Sequence, residues 1–334
     1  MHSRQRDSGY SLIELIVAIS ILGVILTGVF YSFGVQNEKY VVVDQVTDAQ
    51  QSLRGVAELI ERDVRRSGYM VRNAASVCSH DYANAPDVLF VSETEAVRSI
   101  DELQANAPDL LLGDLGIDVL SRTSTTVRVA SVSGVPVLKL DPGASGGLVT
   151  GGGVILIDRE DPEQRVACGE ISAIAGDTLT VDFGPSADAT AIGSADVIAI
   201  PAVVYKVVPE TSTTPSQLLR NGLVLAYDVE DLQAVFFFDA NEDGNTTAAS
   251  ELFGALNAAG AYPPASGAGF DMALLREVTV SVVTVTQDDA PANSGAPVAL
   301  SQGLVVANRN TNLAPADRRM RRLHTANVRV RNLG

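Results

Sequence analysis

The chain has no tryptophan, and with aromatics at only 5% it has little material for an aromatic-rich recognition surface. Burial must come from Val, Ile, Leu and Ala, which suits thin, β-packed layers. Cysteine is as scarce. Cys78 and Cys168 stand far apart, with no CxxC and no histidine at metal-ligand spacing, so zinc and thioredoxin-like chemistry find little support. Two readings of the pair stay open: one disulfide if the body lies in an oxidising compartment, or two buried thiols. The histidines are His2, His80 and His324, and no nucleophile elbow, HExxH or Walker sequence occurs. Gly151-Gly152-Gly153 leads into a strand pattern rather than a helix, so it is no phosphate loop. His80, beside Cys78 and Asp81, reads as part of a surface loop. Enzymatic chemistry has no support.

Positive charge is short too. With 24 basic against 40 acidic residues the net charge is −16, which sets the molecule as a whole against nucleic acid. Arg318, Arg319, Arg321, Arg322, Arg329 and Arg331 form a local exception near the C-terminus. They are read as pairing with carboxylates of the body, since no aromatic platform is interleaved with them.

What the chain does have is a long apolar run. After the polar MHSRQRDSG, with Arg4 and Arg6, the segment Leu12 to Phe33 carries Glu14 as its only charge. At about 1.5 Å per residue it covers roughly 33 Å, enough for a hydrocarbon core of about 30 Å. The positive flank predicts that this end stays cytoplasmic and the rest is exported. An ordinary secretory signal places its small-residue cleavage site after the apolar region, whereas Gly9 stands before it. Glu14 is an ionisable group where ionisable groups are costly, so it needs a partner.

Gly9-Tyr10-Ser11-Leu12-Ile13-Glu14-Leu15 resembles the type IV prepilin motif, with Tyr and Ser where Phe and Thr are usual. The resemblance implies cleavage after Gly9 by a prepilin peptidase, N-methylation of Tyr10, and neutralisation of the new amine by Glu14 of a neighbouring subunit during assembly. A plain signal anchor with a stray carboxylate is the alternative.

Beyond the span, Val42, Val46, Ala49, Leu53, Val56, Ile60 and Val64 recur at three- and four-residue spacing, the pattern of an amphipathic helix continuing the first. Glu58 with Arg62 and Glu61 with Arg65 have the polarity that supports a helix, and Ser67-Gly68 gives a stop. A helix from Ser11 to Arg66 would be roughly 84 Å long, so its apolar side requires lipid or other subunits. Gly23, Gly28 and Gly34 would permit bending or close helix approach, or are simply tolerated in lipid.

The remainder reads as β, with Val/Ile-rich runs at Asp87–Val91, Thr126–Ala130, Val135–Leu140, Val154–Asp158, Thr178–Phe183, Val197–Val208, Leu223–Tyr227, Leu232–Phe238, Val278–Thr286 and Val328–Val330. The expected organisation is a leader over 1–9, a transmembrane and assembly half-helix over 10–34, an amphipathic half over 35–71 and a β-rich periplasmic domain over 72–334. The fold class is α+β, pilin-like, with the long N-terminal helix packed on a large β-rich body. Three further segments resemble PilW-type minor pilins: Arg62 to Tyr69, Asp228-Val229-Glu230-Asp231-Leu232-Gln233 without the usual Gly, and Arg321 through Asn332. That resemblance implies help in initiating a pilus within a tip or priming complex, supporting adhesion, motility or DNA uptake. Its partners would be other minor pilins, the major pilin, the inner-membrane assembly platform and a large tip adhesin. A minor pseudopilin of type II secretion and a membrane-tethered periplasmic binding protein are the competing readings.

Asp239, Asn241 and Asp243, followed by Gly244, fit the first half of a calcium loop, where alternating oxygens converge on the ion. The twelfth position is Ser250 and Glu251 comes one residue late. Ca2+ is therefore the one cofactor the sequence raises, and ordinary turn chemistry at a strand end is its rival.

Overall fold

The computed structural model describes residues 11–67, 77–82, 85–92, 125–132, 135–140, 148–158, 166–184, 197–239, 252–253, 274–286 and 319–330. Gly9, Tyr10, Asn241, Asp243, Arg318 and Arg331 lie outside them. One helix, α1 (Leu12–Arg66), precedes the strands β1 (Val77–His80), β2 (Val88–Ser92), β3 (Thr125–Val132), β4 (Val135–Lys139), β5 (Gly153–Asp158), β6 (Val166–Ala175) and β7 (Thr178–Asp182). These are followed by β8 (Val197–Val208), β9 (Gln217–Arg220), β10 (Leu223–Tyr227), β11 (Val229–Phe238), β12 (Leu252–Phe253), β13 (Leu275–Val285) and β14 (Arg321–Arg329). The fold is α+β, one long N-terminal helix on a β-rich body.

Four antiparallel strands in the order β12-β11-β13-β14 form one sheet, and the second half of α1 packs on β13 and β14. The helix buries Leu53, Val56, Ala57, Ile60 and Val64, each large aliphatic contributing about 1.5–3 kcal/mol. The same core takes Leu232, Ala234, Phe236 and Phe238 of β11, Val278, Val280 and Val282 of β13, and Tyr205 and Val207 of β8. Asp87 stitches the two sheets together. Its N–H donates to the Leu232 carbonyl at 2.7 Å, and its carboxylate accepts the N–H groups of Ala234 at 2.9 Å and Tyr82 at 3.0 Å.

The second sheet closes on itself. β8 pairs with β3, then β4, β7, β6 and β5 follow, and β5 returns to β8, with every step antiparallel. The barrel interior is filled by Leu138, Leu140, Val154, Leu156, Ile171, Leu179, Val181 and Phe183. β8 serves both parts: its first half, Val197–Ala202, lies in the barrel, while Ala202–Val208 pairs with β2 and β9 in the layer that supports α1.

The β1–β2 hairpin folds over the outside of this barrel, where Phe90, Ile155, Ile200 and Val204 form a third cluster with Cys168. There Cys78 and Cys168 are joined as a disulfide, with Cα atoms 6.2 Å apart. His80 corrects the surface-loop expectation. It ends a strand, is 3% exposed, bonds the Cys168 carbonyl through Nε2 at 2.7 Å and tilts against Phe90 with ring centroids 4.7 Å apart. Gly184, at φ +62°, lies so close that any Cβ would strike the His80 ring.

Burial lowers the His80 pKa from its ordinary value, outweighing the carbonyl bond that works the other way, and burial raises the Asp81 carboxyl to about 6. The two oppose each other in their effect on folding. A depressed histidine gives stability that is present above its unfolded value and lost as pH falls. A raised carboxyl gives stability that is present below its unfolded value and lost as pH rises through about 6. Asp81→Asn removes the second effect, so the melting temperature of that variant should fall steadily from about pH 7 to 5.5, before ordinary carboxylates titrate. A flat melting profile over that interval would refute the assignment of a buried neutral imidazole.

Candidate assembly helix and the clamp that seats it

Leu12 to Val43 of α1 stands clear of the body. Large apolar residues along it are exposed, from Leu12 at 76% to Phe33 at 64% and Val43 at 61%, and it is long and apolar enough to cross a membrane. Backbone hydrogen bonds are satisfied within the helix, as an apolar medium requires. Hydroxyls do the same: Ser20 Oγ donates to the Ile16 carbonyl at 2.8 Å and Thr27 Oγ1 to the Gly23 carbonyl at 2.8 Å. Gly23, Gly28 and Gly34 have nothing within 4 Å of the place a Cβ would occupy, so no close approach within the chain explains them.

Glu14 lies in the first turn, with its N–H donating to the Ser11 carbonyl at 3.0 Å and its side chain exposed on the apolar helix. Ser11 is the N-cap residue, but its hydroxyl makes no capping bond. The carboxylate sits one turn from the helix start, where the positive end of the helix dipole already favours an anion.

The opposite end of α1 is anchored by a polar clamp. Asp63 Oδ2 accepts the Tyr205 hydroxyl at 2.6 Å and Arg220 Nη2 at 2.9 Å, and Arg220 Nε reaches both Asp63 Oδ2 and the Tyr205 oxygen at 3.2 Å. Burial, followed by the hydrogen bond and charge of Asp63, raises the phenol's pKa, so Tyr205 stays a neutral donor. Arg62 turns to Asp63, 3.6 Å away, rather than to Glu58, whereas Arg65 does meet Glu61 at 3.5 Å. The helix ends at Ser67, whose Oγ donates to the Val64 carbonyl at 2.7 Å. The stop is therefore made by the serine, and Gly68 lies outside the described residues.

Asp63→Ala removes the acceptor for two donors at once. Its expected cost is about 1–3 kcal/mol of unfolding free energy, with Tyr205→Phe costing less because Arg220 keeps its ion pair. Denaturant unfolding of the two variants measures this, and a loss for Asp63→Ala within a few tenths of a kcal/mol would show the clamp to be incidental.

The other sequence candidates fall elsewhere. Asp239 directly follows β11, is 4% exposed, and faces Arg276 Nε at 3.6 Å. Of the three calcium candidates it alone is described, and it already has a cation beside it. Among the described residues no cluster of His, Cys, Asp and Glu could hold a metal. Of the C-terminal arginines, Arg321 is 1% exposed and grips Glu230 with both Nε, at 2.6 Å, and Nη2, at 3.0 Å, while Arg319 meets Glu210 at 2.7 Å. Both are committed inside the body.

Comparison with known proteins bears on the N-terminal segment. No curated protein matches the chain. Among solved structures, a type IV-like pilin from Thermus thermophilus aligns at 14% identity over 55% of this chain and 85% of its own, with a TM-score of 0.22. Residues 4–30 match the prokaryotic N-terminal methylation motif, a stretch that includes Glu14 and the exposed apolar helix from Leu12 to Phe30.

Proposed function

We propose that the chain is a minor type IV pilin of the PilW kind, cut after Gly9, methylated at Tyr10, held in the inner membrane by the first half of α1 and built from there into a pilus or its tip. One observation carries the reading: a lone carboxylate, Glu14, sits near the start of an exposed apolar helix within the matched methylation motif. Such a helix is stable only in lipid or among similar helices. A carboxylate there is tolerable when it meets a cation, and the amine created at Tyr10 is the cation that processing would supply.

The rest of the fold suits this use. The helix is seated on the body only from about Gln45 onward, which leaves a free segment of roughly 50 Å at 1.5 Å per residue. The body offers no catalytic constellation among the described residues, and its partners on this reading are the prepilin peptidase, sister pilins, the assembly platform and a tip adhesin. The periplasm permits the Cys78–Cys168 bond.

Mass spectrometry of the chain purified from membranes of cells that possess a prepilin peptidase tests the reading. The expected N-terminus is methylated Tyr10, and an intact Met1 would overturn it.

A further inference from the structure

The proposed assembly leaves one loop of the body without a task. Residues 209–215, which join β8 to β9, read Pro-Glu-Thr-Ser-Thr-Thr-Pro and are exposed throughout. Neither proline has an N–H to donate, so the four hydroxyl residues between them cannot lengthen either strand. Serine and threonine bounded by proline at a solvated surface is a composition that accepts O-linked sugar.

Composition alone does not decide, because Thr123-Ser124-Thr125-Thr126 repeats the same four residues and its last two belong to β3, paired with Ala199 and Ile198. At 211–214 the chain makes a turn instead, closed by the Thr211 N–H donating to the Thr214 carbonyl at 2.9 Å. The turn divides its hydroxyls into two kinds. Thr211 Oγ1 accepts the N–H groups of Thr214 at 3.1 Å and Thr213 at 3.3 Å and lies 2.6 Å from Thr214 Oγ1, so these two hydroxyls hold the turn together. Thr213 Oγ1 has one long contact, 3.4 Å to Thr211 Oγ1, and Ser212 Oγ makes no hydrogen bond among the described residues. Ser216, the next hydroxyl, is 4% exposed. Ser212 and Thr213 are therefore the two that can be derivatised without undoing the loop.

Charge selects the group they would carry. Glu210 adjoins the turn, and Arg319 already meets it at 2.7 Å. A phosphate on Ser212 would set a charge of about −2 beside that carboxylate, in a chain of net charge −16. A neutral sugar brings no such repulsion.

We propose that Ser212 is the acceptor of an O-linked glycan, with Thr213 as a secondary acceptor. The donor is a sugar diphosphate carried on a membrane lipid, within reach of a body held at the outer face of the inner membrane, so the proposal rests on that placement. Ser212 Oγ attacks the anomeric carbon, and the bond from that carbon to the diphosphate oxygen breaks. The lipid diphosphate leaves, and a base of the transferase takes the hydroxyl proton.

Full-length protein purified from the membranes of its native cells tests this. Trypsin cuts after Lys206 and Arg220, so the whole turn is released in one peptide, Val207–Arg220. Mass spectrometry should find that peptide carrying whole-sugar increments that fragment to sugar oxonium ions. Ser212→Ala should lose most of the modification, Ser212→Ala with Thr213→Val all of it, and Ser212→Thr should keep it. A peptide found only unmodified, one bearing phosphate, or a sugar retained in the double variant would each overturn the proposal. The state of Tyr10 in the same sample judges the assembly reading separately: a methylated Tyr10 beside a bare peptide sinks the glycan alone.

Discussion

Glu14→Ala is expected to leave the chain inserted in the inner membrane and to remove it from sheared filaments by a factor of a hundred or more. The factor follows from the energetics of a desolvated ion pair. Breaking such a pair by removing one partner costs about 3–5 kcal/mol, because the other charge stays buried without compensation, and each 1.4 kcal/mol is about tenfold in population. In the variant the orphan would be the Tyr10 amine. Insertion should not suffer, since removing a carboxylate from an apolar helix relieves a cost of about 2.5–3.5 kcal/mol at the centre of a membrane and less near its edge. The two readouts therefore move independently, which separates a pairing role from a general defect. Immunoblots of the membrane and sheared fractions measure both, and normal incorporation of the alanine variant would remove the pairing role from Glu14.

Replacing Cys78 and Cys168 by alanine should destabilise the body by about 2–5 kcal/mol. The bond closes a loop with a sequence separation of 90, for which the chain-entropy estimate is roughly 4.5 kcal/mol. It spans separate pieces of structure, with Cys78 on the β1–β2 hairpin and Cys168 on the barrel, so its loss also frees one from the other. With no tryptophan in the chain, circular dichroism or tyrosine emission follows the melt. The wild type should lose the same stability when unfolded in the presence of a reductant. An alanine pair that melts with the oxidised wild type would show that packing among Phe90, Ile155 and Val204 suffices without the bond.

Much of the architecture could be read from local pattern. The helix was bounded to within a residue, because a lone polar start, an unbroken apolar period and a serine stop are all short-range signals. Val197–Val208 and Leu223–Tyr227 emerged with their observed limits, since turn residues fence both. β1, β6, β9 and β12 were not foreseen. β6 reads VACGEISAIA, with small residues and Gly169 where a strand pattern would be bulky, and it is held as a strand by its neighbours β5 and β7. Gly169 is needed there, since a Cβ would strike the Val181 side chain.

Around the candidate site the division is similar. Glu14 stood out because one charge in an apolar run is visible without any fold. The clamp did not, because Tyr205 lies 142 positions and Arg220 157 positions from Asp63, and nothing local marks either as its partner. His80 was misread for the same reason: its burial depends on Phe90 and on a carbonyl 88 positions away.

The barrel enters the body between two strands that are already neighbours, Ser92 of β2 standing opposite Ala202 of β8. Among the described residues the barrel strands β3 to β7 therefore fall in sequence between two strands that pair directly, so the polypeptide in between behaves as a cassette. Evolution or an engineer can enlarge, shorten or exchange that cassette without disturbing the floor on which the helix rests, provided the Cys78 thiol is also given up or found a new mate.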